Sequence, residues 1–166
     1  MNANPINHID PDENFIDLVN TADIFSCKYY NTSTFNESLP DHMRQCLSLL
    51  SFNIRSFKKN HDEFIGYLKN CNHEFDIIVL SETWAKEETH CMNSLPGYNA
   101  FHNYREDRRG GGVSIFVKDS LSFQPLDQFN ISTDDFESAG VTVSIPSSAH
   151  AVVILGIYRR PGGDRN

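Results

Sequence analysis

Three polar residues stand where apolar runs end, and their types suit chemistry on a phosphoester. Asn53 closes the run Leu47-Ser48-Leu49-Leu50-Ser51-Phe52, Glu82 follows Ile77-Ile78-Val79-Leu80-Ser81, and Tyr158 ends the mostly apolar stretch that begins at Ala151. If the runs are strands, these positions are their carboxyl ends, where α/β sheets place their sites. Glu82 offers a hard oxygen ligand of the kind Mg²⁺ prefers, and that ion takes only one or two protein carboxylates. A phenol such as Tyr158 can donate to a phosphate oxygen, and the guanidiniums of Arg159 and Arg160 beside it add charge. Each residue alone has a plainer reading: Glu82 as a cap or a solvated carboxylate, Tyr158 as an interfacial tyrosine with a wet hydroxyl.

Other candidate chemistries drop out on spacing. Gly110-Gly111-Gly112 leads into Val113-Ser114-Ile115-Phe116-Val117, an alternating strand pattern. A phosphate cradle leads into a helix and continues with Lys-Ser or Lys-Thr, so the run predicts instead a turn with positive φ or a close backbone approach. The seven histidines show no HExxH or metal-pair spacing, and there is no Gly-x-Ser-x-Gly elbow, which removes zinc and serine hydrolases. Cys27, Cys46, Cys71 and Cys91 form no CxxC pair and predict reduced, mostly buried thiols.

The elements that must position these residues are legible from Leu47 onward. After the first short run, Phe57, His61, Phe64, Leu68 and Cys71 recur at helical spacing. Phe75 to Leu80 is β-branched and nearly all apolar, which predicts a buried strand. Two parallel strands need a crossover of about this length, so the three elements predict a strand–helix–strand unit. Pro96-Gly97-Tyr98 marks a turn, and alternation returns at Val113–Val117 and at Ala139, Val141, Val143 and Ile145. The fold class is therefore mixed α/β, with largely antiparallel sheet after the first unit.

Length and charge set the outer bounds. A chain of 166 residues allows one domain. No apolar run approaches the roughly 20 residues that cross a bilayer, and the acidic start lacks the basic and apolar regions of a signal peptide. The expectation is a nuclear or cytoplasmic protein, neither secreted nor bound to a membrane. The net charge is −8, but residues 1–46 hold seven acids against two bases and carry most of it. That stretch is rich in Asn, Asp, Ser and Thr and predicts an acidic leader or linker over 1–46, with at most one short helix near Phe15–Phe25. Residues 47–166 form the folded part. Binding to phosphates needs a local basic patch rather than a basic whole, and Arg105, Arg108 and Arg109 make one cluster while Arg159 and Arg160 make another.

Six blocks then occur in the order of one family: Ser51-Phe52-Asn53-Ile54-Arg55-Ser56, Asp76 to Trp84, Pro96-Gly97-Tyr98, Arg108-Arg109-Gly110-Gly111-Gly112-Val113, Phe136-Glu137-Ser138 and Ile157-Tyr158-Arg159-Arg160-Pro161. On these the chain resembles the endonuclease/exonuclease/phosphatase superfamily. It is most similar to the apurinic-type endonuclease domain of non-LTR (LINE-type) retrotransposon polyproteins. The resemblance implies a four-layer α/β sandwich, two mixed β-sheets face to face with helices outside, here truncated to about its first half. It implies Mg²⁺ (or Mn²⁺) on Glu82, Asn53 beside the metal and Tyr158 on the scissile phosphate. It also implies a DNA partner, for which Arg105, Arg108, Arg109 and Arg159 are the phosphate-binding candidates. The implied reaction is metal-assisted phosphodiester hydrolysis that nicks DNA. In a full-length polyprotein, element RNA or reverse transcriptase would act in cis.

The family's Gly-Asp-x-Asn and Ser-Asp-His segments do not occur in this chain. Gly163-Asp164-Arg165-Asn166 follows the Tyr-Arg-Arg-Pro loop directly, without the apolar strand that the motif needs. Loss of the base alone removes a factor of about 10²–10⁴, so the chain is expected to be inactive by itself. The first sheet is expected to expose an apolar face, which implies aggregation or dependence on a partner. The alternatives are a phosphatase of the same superfamily and a non-catalytic remnant.

Overall fold

The computed structural model describes residues 29–41, 46–87, 93–104, 110–145 and 151–159. The chain divides into two units, Met1–Asn31 and Thr32–Asn166, and both sheets belong to the second. Its elements in order are α1 (Thr32–Ser38), β1 (Leu49–Asn53), α2 (Phe57–Asn70), β2 (Ile77–Ser81), β3 (Tyr98–Asn103), β4 (Val113–Lys118), β5 (Ser122–Pro125), a 3₁₀ turn (Asp127–Phe129), β6 (Ile131–Ser132), β7 (Phe136–Ser144) and β8 (Ala151–Arg159).

The strand–helix–strand unit forms as its periodicity predicts. β1 and β2 run parallel, in register from Leu49 opposite Ile77 to Asn53 opposite Ser81. Register is fixed at the entry, where the Asp76 carboxylate accepts from the Ser48 N–H and Oγ–H, each at 2.8 Å. The crossover α2 begins at Ser56, whose side chain accepts from the Lys59 N–H, one of the four donors a helix start leaves unsatisfied. Its buried face carries Phe57 and Phe64. These pack with Ile54, Ile78, Leu80 and Phe116 in a first core between helix and sheet.

The first sheet has the order β1-β2-β4-β3 and is mixed, because β4 pairs antiparallel with both β2 and β3. The second is antiparallel in every described pairing. β5 and β6 lie along one edge of β7, and β8 lies along the other for nine residues. The two sheets meet face to face. Ile77, Val79, Val113, Ile115 and Val117 of the first pack against Ala139, Val141, Val143 and Ile154 of the second. Buried Asn103 ties them together by donating from Nδ2 to the carbonyls of Ile131 and Ser138, at 2.8 and 2.7 Å. This is the expected α/β sandwich.

One expectation is corrected here. The uncovered apolar surface is shared: the first sheet exposes Leu49 and Phe52 of its edge strand β1, 47 and 41% open, and the larger open face belongs to the second. β7 and β8 cover the inner faces of β2 and β4, while Val153, Leu155 and Ile157 on the outer side of β8 are 58, 42 and 62% exposed. Alternation along a strand shows that it has two faces but not which sheet the strand will join. Among the described residues the thiols divide, with Cys71 buried and Cys46 exposed, while Cys27 and Cys91 lie outside them. No helix among the described residues is long and apolar enough to cross a membrane.

Candidate active site

The first two strand ends lie side by side because β1 and β2 are parallel and in register. Asn53 is the last residue of β1 and stands opposite Ser81, the last of β2. Glu82 is the next residue. Its backbone is held by the segment that follows β1: the Glu82 carbonyl accepts from the Ser56 N–H at 2.8 Å, and the Ser81 carbonyl accepts from the Ile54 N–H at 3.0 Å. Asn53 is exposed, and its Oδ1 accepts from the Arg55 N–H at 3.2 Å.

The third residue arrives from the other sheet. Tyr158 lies on the inward side of β8 with Val152, Ile154 and Gly156. Its hydroxyl donates to Glu82 Oε1 at 2.7 Å. Glu82 Oε2 lies 4.0 Å from Arg55 Nε, and the two side chains differ sharply in exposure, 16% for Glu82 and 81% for Arg55. An exposed guanidinium at that distance adds positive potential at the mouth of the site but little binding energy.

Backbone conformation marks the same place. The non-glycine residues with positive φ among the described residues are Arg55, Ser56, Glu82 and Trp84, at 47°, 93°, 52° and 52°. All four sit in the two loops that follow β1 and β2. Each such residue costs on the order of 1–3 kcal/mol, and such strain gathers where function fixes a conformation.

The glycine run closes the site from the side of β4. Gly111 and Gly112 have φ of 73° and 86°, and their carbonyls accept from the Trp84 and Thr83 N–H groups at 2.9 and 3.3 Å. A Cβ on Gly112 would stand 2.6 Å from Thr83 Oγ1, and one on Gly111 would stand 2.8 Å from the Glu137 carboxyl carbon. The run therefore does what its lead into a strand predicts, serving close backbone approach rather than a phosphate cradle.

Of the remaining candidates, Arg159 is exposed at the end of β8, one residue beyond Tyr158 and so on the opposite side of the strand. Arg105, Arg108, Arg109 and Arg160 lie outside the described residues, as do Gly163-Asp164-Arg165-Asn166 and the helical stretch at Phe15–Phe25. No group of three or more His, Cys, Asp or Glu that could hold a metal occurs among the described residues. Reading the residues alone missed Arg55, whose guanidinium faces Glu82, and Ser56 and Thr83, whose backbone groups hold the loops of the site. It also missed Glu137, which enters the sequence reading only within a family block. Its signal was available: Glu137 is in phase with Ala139, Val141 and Val143, so period-two alternation places it on the core face.

Comparison with known proteins agrees with this architecture. Residues 50–156 match the endonuclease/exonuclease/phosphatase family, and the chain belongs to it. Among solved structures, the chain is similar to the AP endonuclease LMAP from Leishmania major, with 16% identity, a TM-score of 0.51, and coverage of 80% of this chain and 44% of that one. It is also similar to the Xenopus laevis APE2 catalytic domain, with 15% identity, a TM-score of 0.47, and coverage of 68% and 45%. The chain thus spans less than half the length of either. No curated protein matches it in sequence.

Proposed function

We propose, for this member of the endonuclease/exonuclease/phosphatase family, that the strand-end cluster is part of a metal-dependent phosphodiesterase site. We further propose that the whole protein is the DNA-nicking endonuclease of a non-LTR retrotransposon. The observation that carries the reading is the 2.7 Å hydrogen bond from Tyr158 to Glu82. It joins two of the three strand-end residues across two sheets, from positions 76 apart in the chain. The retrotransposon assignment rests on the sequence, through the Arg108-Arg109-Gly110-Gly111-Gly112 block.

The donor set suits Mg²⁺ or Mn²⁺ in kind. Glu82 offers a carboxylate and Asn53 an amide oxygen, both hard ligands, and Mg²⁺ keeps several of its waters when bound. The metal would supply charge neutralisation at a phosphoryl oxygen. The chain's own residues prepare for it. The Tyr158 hydroxyl orients the Glu82 carboxylate, and its single proton would turn from that bond to a phosphate oxygen when substrate is bound. Arg55 raises the potential at the mouth, and Arg105, Arg108, Arg109 and Arg159 are assigned to DNA phosphates. Without Gly-Asp-x-Asn and Ser-Asp-His segments to position and activate water, the chain as it stands should bind metal and leave DNA intact.

Two assays test this. The chain has one tryptophan, Trp84, two residues from Glu82, so paramagnetic Mn²⁺ bound there should quench its fluorescence saturably, and Glu82→Gln should abolish the effect. Supercoiled plasmid incubated with the chain in Mg²⁺ should remain supercoiled. Unquenched fluorescence in the wild type would overturn the metal assignment, and Glu82-dependent nicking would overturn the inactivity of the isolated chain.

A further inference from the structure

We propose that Glu137 is a positioning residue that clamps the glycine run and, through it, sets the conformation of the loop carrying Glu82. Glu137 is only 3% exposed and lies in β7 opposite Tyr158 of β8. The residues that follow it on the same face, Ala139, Val141 and Val143, are apolar and fully buried. A side chain whose task was to fill that space would be apolar too, because a carboxylate withdrawn from water is costly unless hydrogen bonds hold it. Glu137 Oε2 accepts from the Gly112 N–H, a charge-assisted bond of the stronger class.

From there the contacts run in one direction. The Gly112 carbonyl accepts from the Thr83 N–H and the Gly111 carbonyl from the Trp84 N–H. Glu82 immediately precedes this pair, and both Glu82 and Trp84 hold positive φ. Neither residue would choose that conformation alone, since left-handed backbone costs roughly 1–2 kcal/mol for an L-residue. The glycines permit the approach, because a Cβ on Gly111 would meet the Glu137 carboxyl group. Through this relay a residue on the second sheet fixes the loop after β2 on the first. The same residue neighbours the tyrosine that holds the Glu82 carboxylate. The clamp itself is independent of any metal. Its benefit to metal binding rests on the function proposed above.

Trp84 reports on the clamp directly. A Cβ on Gly110 would lie 3.8 Å from Trp84 Nε1, so release of the run should open the indole to solvent. Acrylamide quenching of the full chain is compared for wild type, Glu137→Gln, Glu137→Asp and Glu137→Ala. Gln retains an acceptor of the same reach and should stay near wild type. Asp keeps the charge but is one methylene shorter, and it should behave like Ala, with the Stern–Volmer constant raised about twofold or more. Mn²⁺ affinity, read from the same fluorescence, should fall about tenfold in Asp and Ala and much less in Gln, the range seen when outer-shell partners of metal ligands are removed. Should Ala fail to fold, the comparison of Asp with Gln decides. Equal acrylamide quenching in Gln and Asp would overturn the clamp. Absence of Mn²⁺ binding in the wild type, with the acrylamide differences intact, would overturn the metal reading alone.

Discussion

Gly156→Ala tests how closely the two sheets must approach for Tyr158 to reach Glu82. Gly156 is buried in β8 opposite Ala139 of β7. A Cβ there would stand 2.8 Å from both Val79 Cγ1 and Val113 Cγ1. Carbon atoms pack best at about 3.5–4.0 Å, so the added methyl is short of space by roughly 1 Å on two sides. The valines have little room to turn away, with Val113 fully buried and Val79 8% exposed. Overpacking of this kind costs about 1–3 kcal/mol, and removing a glycine from a strand returns about 0.5–1 kcal/mol. The net is a loss of up to about 2.5 kcal/mol, which for a unit of this size lowers Tm by up to about 10 °C. The assay is thermal unfolding followed by far-UV circular dichroism. Val79→Ala should destabilise the wild type but be partly compensated in the Gly156→Ala background, because the lost methyls make room for the new one. A Gly156→Ala protein more stable than wild type, or a strictly additive double variant, would refute the close approach.

Two further predictions concern the far end of the first sheet and the outer face of the second. Burial, with Glu74 and Asp76 nearby, pushes the Tyr98 phenol up to about 12, and its hydroxyl donates to the Phe75 carbonyl at 2.6 Å. The unfolded phenol ionises near 10, so this stabilisation is whole below pH 10 and lost as pH rises toward 12. Tyr98→Phe should cost about 1 kcal/mol at neutral pH. Its Tm deficit relative to wild type should shrink from pH 9 to 12, and a constant deficit would count against the assignment. On β8, Val153→Thr with Ile157→Thr should reduce light scattering of concentrated protein while changing stability by no more than about 0.5 kcal/mol per site, since the replaced groups are solvent-exposed. Unchanged scattering would mean that this face does not drive association.

Elements with a buried face announced themselves, and elements held by distant contacts did not. α2, β2, β4, β7 and β8 all show a period or an apolar run that survives into the structure. β3 did not, because its inward residues include His102, which is buried with Nδ1 2.7 Å from Ser114 Oγ. α1 was equally hidden in polar composition. It is tied down by Phe35 stacked on Phe75 at 6.2 Å and by Asn36, which donates to the Asn70 carbonyl and accepts from the Asn72 N–H. Those partners lie some 35 residues away, beyond the reach of any local pattern. At the site, Asn53, Glu82 and Tyr158 could be chosen because strand ends can be read from apolar runs. The positive φ of Ser56, Glu82 and Trp84 could not, since none of them is a glycine and only the assembled hydrogen bonds impose it.

The distribution of contacts has a consequence for how site and fold depend on each other. Asn53 and Glu82 belong to the first sheet, Tyr158 and Glu137 to the second, and nothing local in the sequence brings the two pairs together. What does so is the inter-sheet core, where Val79 and Val113 meet Ile154 and Ala139, with Asn103 bridging the sheets beside it. Apolar packing of that kind carries no directional information by itself. Direction comes from register. Ser81 opposite Asn53 and Tyr158 opposite Glu137 are each fixed to one residue by their ladders, and a slip of one position would turn Tyr158 outward and Arg159 inward. Glu82 itself keeps a backbone conformation it would not adopt alone, sustained by bonds from Ser56 on one side and the glycine run on the other. The cluster is thus a product of the folded sandwich as a whole. Loosening the packing between the sheets should degrade the Tyr158–Glu82 bond before either sheet loses its own ladder.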